Sequence, residues 1–148
     1  MAKATNTYSY PVDKRKITLL VDETTSGSHQ GAYRGSVDMA APLNTVVKAA
    51  ADGVVVRVRD DSNRHGDTID FGQDMNYITI EHSNGELSEY GHLAKGSDMV
   101  KVGQKVKTGQ PIAKTGLSGW MFAPHLHFMV YKKTARPEDF QCLIVQFQ

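Results

Sequence analysis

Apolar residues along this chain come in short runs that alternate with polar ones, and glycine, asparagine or proline interrupts nearly every run. Ile17 to Val21 suits a short strand. Val54-Val55-Val56-Arg57-Val58 is β-branched and is entered through Gly53, again strand-like. Tyr77-Ile78-Thr79-Ile80-Glu81-His82 alternates and runs into Ser83-Asn84-Gly85. An Asn-Gly pair between alternating runs is the strongest short hairpin signal, because both residues tolerate positive φ. The partner strand then spans Glu86 to Leu93 and carries His92. Ser62 to Gln73 is polar and reads as a loop. Val100 to Gly116 reads as tight β-meanders broken by glycine turns, and Leu117 to Ala123 as a loop. Pro137-Glu138-Asp139-Phe140 has the proline and acids of an opening helical turn. No amphipathic helix of useful length is present. The pattern predicts a mainly β chain, an antiparallel β-sandwich or partly closed barrel with glycine-rich hairpins and little helix.

Composition narrows the function. The 148 residues are 40% hydrophobic and 22% charged, a globular balance that predicts a single domain over residues 1–148. A formal net charge of +1 offers no footprint for nucleic acid. Lys14-Arg15-Lys16, the densest basic cluster, suits a solvated edge. The single cysteine, Cys142, excludes an intrachain disulfide and sits in the apolar run Cys142-Leu143-Ile144-Val145, where it suits a small buried hydrophobe. No stretch approaches the roughly 18 consecutive apolar residues of a membrane span. Met1 to Asp13 is polar and lacks the apolar centre of a secretory signal.

The chemistry lies in the histidines. Residues i and i+2 of a strand share a face, so His125 and His127 point one way while Leu126, Phe128 and Val130 point the other. A pair at this spacing also suits a solvated strand face. Four more histidines are available, at positions 29, 65, 82 and 92, and Asp38 lies nine residues after His29. Zinc binds imidazole nitrogen and carboxylate oxygen tetrahedrally, and a catalytic site leaves one position open. Three ligands drawn from His29, Asp38 and the H-x-H pair meet that requirement.

Four segments in order complete the pattern. They are Ser28-His29-Gln30-Gly31 through Val37-Asp38-Met39-Ala40-Ala41-Pro42, and Val46 through Gly53-Val54-Val55. Asn76 to His82 then leads through Glu89-Tyr90-Gly91-His92-Leu93, and Gly116-Leu117-Ser118-Gly119 leads into Pro124-His125-Leu126-His127-Phe128. In these the chain resembles the lysostaphin-type (LytM-like) zinc metallopeptidases, peptidoglycan endopeptidases, over about residues 29–131. The resemblance implies one zinc per chain held by His29, Asp38 and His127. It also implies His92 and His125 as unliganded catalytic histidines, and a peptidoglycan peptide as substrate. Hydrolysis would use zinc-bound water as nucleophile. It further implies a periplasmic, secreted or cell-wall location.

Two departures stand out. Many members place the first histidine four residues before the aspartate; here that residue is Arg34, which stays protonated and cannot ligate zinc. His29 must supply the imidazole, as in the longer-spaced variant. Met121-Phe122-Ala123 is more apolar than usual before Pro124. No H-E-x-x-H is present, so no glutamate base of that class is available. His82 suits a structural hydrogen-bonding role, and His65 a solvated loop position. Trp120 suits either a cleft wall or a core position.

Two rivals remain. One is a non-catalytic regulatory or binding module on the same fold; the complete set of candidate ligands argues against it. The other is a prosthetic-group carrier, suggested by the Val-x-x-Gly rhythm of Val100 to Gly116. Lys101, Lys105, Lys107 and Lys114 all lack the Met-Lys-Met setting of a biotin carrier.

Overall fold

A computed structural model describes residues 2–22, 34–121, 123–134 and 140–148. Its strands are β1 (Leu19–Val21), β2 (Val37–Ala40), β3 (Val46–Lys48), β4 (Gly53–Arg59), β5 (His65–Gly66) and β6 (Tyr77–Glu81). They continue with β7 (Leu87–Gly91), β8 (Lys105–Val106), β9 (Pro111–Lys114), β10 (Gly119–Trp120), β11 (His125–Lys133) and β12 (Phe140–Leu143). The helical content among the described residues is a few short 3-10 turns. The fold is mainly β and antiparallel, as the sequence pattern predicts, and the large sheet is open rather than closed into a barrel.

That sheet runs β1-β2-β11-β7-β6-β4-β8. β11 is long enough to take two partners on one edge, β2 along His125 to Phe128 and β12 along Val130 to Lys133. One face of the sheet is the core. Val37 and Met39, Ile78 and Ile80, Tyr90, Leu126, Phe128 and Val130 meet Val47 of β3, Ile112 of β9, and Tyr8 and Val12 of the N-terminal segment there. The opposite face is divided. A small apolar cluster of Leu87, Met129, Tyr131 and Cys142 fills one end, and Asp38 and the histidines occupy the other.

The hairpin joining β6 and β7 forms as its residues dictate, with Asn84 at φ 62° and Gly85 at φ 70°. Val100 to Gly116 differs from the predicted meander. Its glycine turns reverse the chain, but they hand β8 to β4 and β9 to β3 rather than to each other. Backbone bonds from Gly103 N to Val55 O (2.7 Å) and Gly109 N to Ala49 O (2.8 Å) fix those turns on distant strands. The helical turn predicted at Pro137 lies outside the described residues, apart from Phe140, which opens β12. Cys142 is buried beside Met129 Sδ at 3.6 Å, and burial pushes its thiol up to about 11.

The N-terminal segment is tied down by one carboxylate. Glu86, fully buried, accepts from Thr5 N (2.6 Å), Asn6 N (3.1 Å) and Tyr8 Oη (3.0 Å). Replacing it with alanine leaves these donors without their acceptor, and an unsatisfied buried donor costs about 1–3 kcal/mol. Glu86→Ala is therefore expected to lower stability by roughly that amount or more, read as a drop in urea midpoint. An unchanged midpoint would show that the clasp is dispensable.

Candidate metal and catalytic site

The site is assembled by strand register. β11 lies between β2 and β7, so His127 stands opposite Asp38 on one side and Gly91 on the other, with His125 opposite Ala40. Alternation sends Leu126, Phe128 and Val130 into the core and leaves both histidines half-buried on the other face. Asp38 bridges the pair: its Oδ1 lies 3.2 Å from His127 Nδ1 and its Oδ2 3.6 Å from His125 Nε2.

His92 arrives by another route. Ser88 and Tyr90 point into the core, and strict alternation would send residue 92 with them. Instead β7 ends at Gly91, and His92 takes a left-handed conformation, φ 62°. This differs from the strand position expected from the sequence, and it turns the side chain to the site face. Histidine is among the few non-glycine residues that adopt this region with any frequency. Its ring centroid lies 4.6 Å from that of His125 and 6.0 Å from that of His127, and the residue is buried.

The two candidate catalytic histidines are oriented alike. His92 Nδ1 lies 2.6 Å from Ser118 O, and His125 Nδ1 lies 2.8 Å from Ala123 O. A carbonyl only accepts, so each Nδ1 carries a proton and each ring is left with its Nε2 for the site. Burial, reinforced by His125 and His127, pushes His92 down to about 3. At His127 burial opposes the charged form, but the hydrogen bond and charge of Asp38, with the charge of Glu89, outweigh it and raise the imidazole above its ordinary value.

The sequence reading gave no role to the residues that hold His92 in place. Asn76, fully buried, donates its Nδ2 to Ser62 O (2.7 Å) and Leu93 O (3.1 Å) and accepts from Ser62 N (3.0 Å). Ser118 Oγ accepts from Asn76 N (3.0 Å) and donates to Leu93 O (2.8 Å). This network joins the turn after β7 to the loop that supplies the His92 acceptor. Met75 packs over Gly91 and Gly119, where an added Cβ would collide with it.

The other histidines separate cleanly. His82 has both ring nitrogens engaged, 2.7 Å from Asp52 O and 2.7 Å from Ser88 Oγ, a structural arrangement away from the site. His65 is exposed on β5, which pairs in parallel with β10. Trp120 is 47% exposed, which removes the core reading, whereas its neighbour Met121 is buried. Arg34 is exposed in the turn before β2. His29 and Phe122 lie outside the described residues. Among the described residues no group of three or more His, Cys, Asp or Glu side chains is placed to hold a metal. Two donors do converge, Asp38 Oδ1 and His127 Nδ1. His125 Nε2 also faces Asp38 Oδ2, at 3.6 Å. That donor set favours a cation or proton between the groups and fits zinc.

Fold and motif together are of the lysostaphin-like class. Residues 32–139 match the model of peptidase family M23, and the chain belongs to that family. The peptidoglycan DD-endopeptidase ShyB of Vibrio cholerae is 36% identical over 134 residues, 88% of this chain and 28% of that protein. A zinc containing peptidase from Vibrio cholerae superposes with a TM-score of 0.62 at 28% identity, over 97% of this chain and 41% of that one. For the catalytic domain of lysostaphin from Staphylococcus simulans the TM-score is 0.56 at 29% identity, over 74% of each chain. The chain spans 20% to 28% of the length of ShyB and of two other relatives it matches.

Proposed function

We propose that this chain is a zinc-dependent endopeptidase that hydrolyses peptide cross-links of bacterial peptidoglycan outside the cytoplasmic membrane. Asp38, His127 and His29 hold the metal, and His92 and His125 handle protons. The observation that carries the reading is the convergence of Asp38 and His127 across the β2–β11 pair, with two further imidazoles presenting Nε2 beside them. The names of the relatives support peptidoglycan as the substrate and zinc as the metal. No described helix is long and apolar enough to cross a membrane.

Zinc, when bound, supplies Lewis acidity, polarising the scissile carbonyl and making the attacking water acidic enough to deprotonate near neutral pH. The residues do the rest. One of the two imidazoles accepts the water proton at Nε2 and later delivers it to the leaving amine as the C–N bond breaks. The other, protonated at Nε2, donates to the oxygen on which negative charge develops. Burial of His92 favours the neutral, accepting form at that ring.

Purified protein is expected to hold one zinc per chain by elemental analysis and to release new amines from purified peptidoglycan, with both lost after chelation. Metal-replete protein that releases no amine from any class of peptidoglycan would instead identify a non-catalytic module on this fold.

A further inference from the structure

The imidazole of His92 leans on a peptide group that is itself held from several sides. His92 Nδ1 lies 2.6 Å from Ser118 O. The nitrogen of the same peptide unit, Gly119 N, donates to Arg64 O at 2.9 Å. A planar peptide bonded at both its oxygen and its nitrogen has little freedom to turn. Arg64 is fixed in its turn, its backbone nitrogen donating to Ser62 Oγ at 3.2 Å. Ser62 donates its own N–H to Asn76 Oδ1 and takes Asn76 Nδ2 on its carbonyl oxygen. Asn76 N then donates to Ser118 Oγ. The bonds close a circuit from Asn76 through Ser62, Arg64 and the Ser118–Gly119 peptide back to Asn76.

Asn76 also grips the backbone next to His92. Its carbonyl accepts from Leu93 N at 3.2 Å, and Leu93 O accepts from both Asn76 Nδ2 and Ser118 Oγ. His92 stands at φ 62°, a conformation that a non-glycine residue keeps only where its surroundings over-determine it. One residue thus governs both halves of the contact, the turn that carries the imidazole and the carbonyl that it meets. A carboxamide suits both demands: two carbonyl oxygens need its NH2, and the N–H of Ser62 needs its oxygen. Asn76 and Ser118 are fully buried.

We propose that Asn76 is a positioning residue for His92, acting through Ser118 to fix which imidazole nitrogen carries the proton and which one faces the site. The kinetic consequence rests on the peptidase reading; the tautomer does not. The bond that one ring nitrogen makes decides the protonation of the other. His125 supplies the contrast. Its Nδ1 lies 2.8 Å from Ala123 O, and the circuit does not include Ala123. Loosening the circuit should release His92 and leave His125 as it is.

The test compares wild type with Ser118→Ala and Asn76→Ala, and with Glu86→Ala as a protein destabilised elsewhere. Ser118→Ala keeps the backbone carbonyl that His92 meets and removes only the hydroxyl behind it. Nitrogen NMR of isotopically labelled histidines reads the tautomer of each ring in the zinc-loaded protein. Wild type is expected to show His92 protonated at Nδ1. Both Ser118→Ala and Asn76→Ala should show mixed tautomers at His92 and no change at His125, and Glu86→Ala no change at either. Misplacing a reacting group by about 1 Å costs up to roughly a hundredfold in rate. Ser118→Ala should therefore lose about tenfold to a hundredfold in kcat, and Asn76→Ala at least as much, with KM and zinc content unchanged. In a His92→Asn background the same substitutions should cost nothing further, because the imidazole they position is gone.

An unchanged tautomer at His92 in Ser118→Ala overturns the proposal, as does a change at both histidines. So does an equal loss of kcat in Glu86→Ala, or a loss that persists in the His92→Asn background, since either would mark a general structural effect. If Asn76→Ala fails to fold, Ser118→Ala decides alone. If wild type binds no zinc or cleaves no peptidoglycan peptide, the peptidase reading fails separately, and the tautomer comparison on the metal-free proteins still decides the role of Asn76.

Discussion

Replacing His127 with alanine is expected to strip the metal and remove turnover together. His127 Nδ1 and Asp38 Oδ1 lie 3.2 Å apart on adjacent strands, both half-buried, and in the proposed site they and His29 would make the three ligands that a catalytic zinc site requires. Three is already the minimum, so the loss should exceed the roughly 10–100-fold in affinity that removing even an outer partner of a ligand costs. Zinc content after dialysis should fall well below one per chain, with activity falling in step. In a loaded structure the His127 nitrogen should lie about 2.0–2.1 Å from the metal. Protons compete for the same atom. The metal-free His127 lies above its ordinary value, so zinc uptake should weaken as pH falls. The same raised value gives the metal-free protein a stabilising contribution that is present below the unfolded value and lost as pH rises through the folded one. If His125→Ala strips the zinc and His127→Ala retains it, the two roles are reversed.

The H-x-H face was legible because period-two alternation is local: Leu126 and Phe128 needed only a core on one side to turn His125 and His127 to the other. Asn84-Gly85 was legible for the same reason, since positive φ at both positions is a property of the dipeptide. His92 was legible as a candidate by resemblance but not as a geometry. Alternation alone sends it into the core with Ser88 and Tyr90, and the left-handed turn that redirects it is held by Asn76 and Ser118, which lie 42 residues apart. Long-range polar pairing of that kind leaves no periodic trace. Val100 to Gly116 shows the same limit. Its glycines declared the turns, whereas the partners of β8 and β9 are set by packing against β4 and β3. Trp120 declared only its size; its exposure follows from its place on the short strand β10, which pairs only with β5 among the described strands.

Removing His92 or His125 should have a different signature, with metal retained and turnover lost. Neither ring is assigned to the zinc, and each has its Nδ1 anchored on a carbonyl, so substitution leaves the ligand set intact. General acid–base assistance is worth about 10²–10⁴-fold and an oxyanion donor about 10²–10³-fold. His125→Ala should therefore lower kcat by two to four orders of magnitude while zinc stays near one per chain. At position 92 alanine is a poor choice, because φ 62° strains any residue with a Cβ. Asparagine tolerates that region, and its amide can still donate toward the Ser118 carbonyl, but it accepts no proton in the working pH range. His92→Asn thus separates the chemistry from the fold, and an unchanged melting curve with a comparable fall in kcat is the expected result. The two histidines act on the same reaction at ring centroids 4.6 Å apart, so their losses should not add. If one passes the water proton on while the other stabilises the charge formed by the same attack, the double variant should be little worse than the weaker single one. Fully additive losses would mean that the two rings serve separate steps. A His92→Asn protein that keeps its full rate would remove His92 from the mechanism altogether.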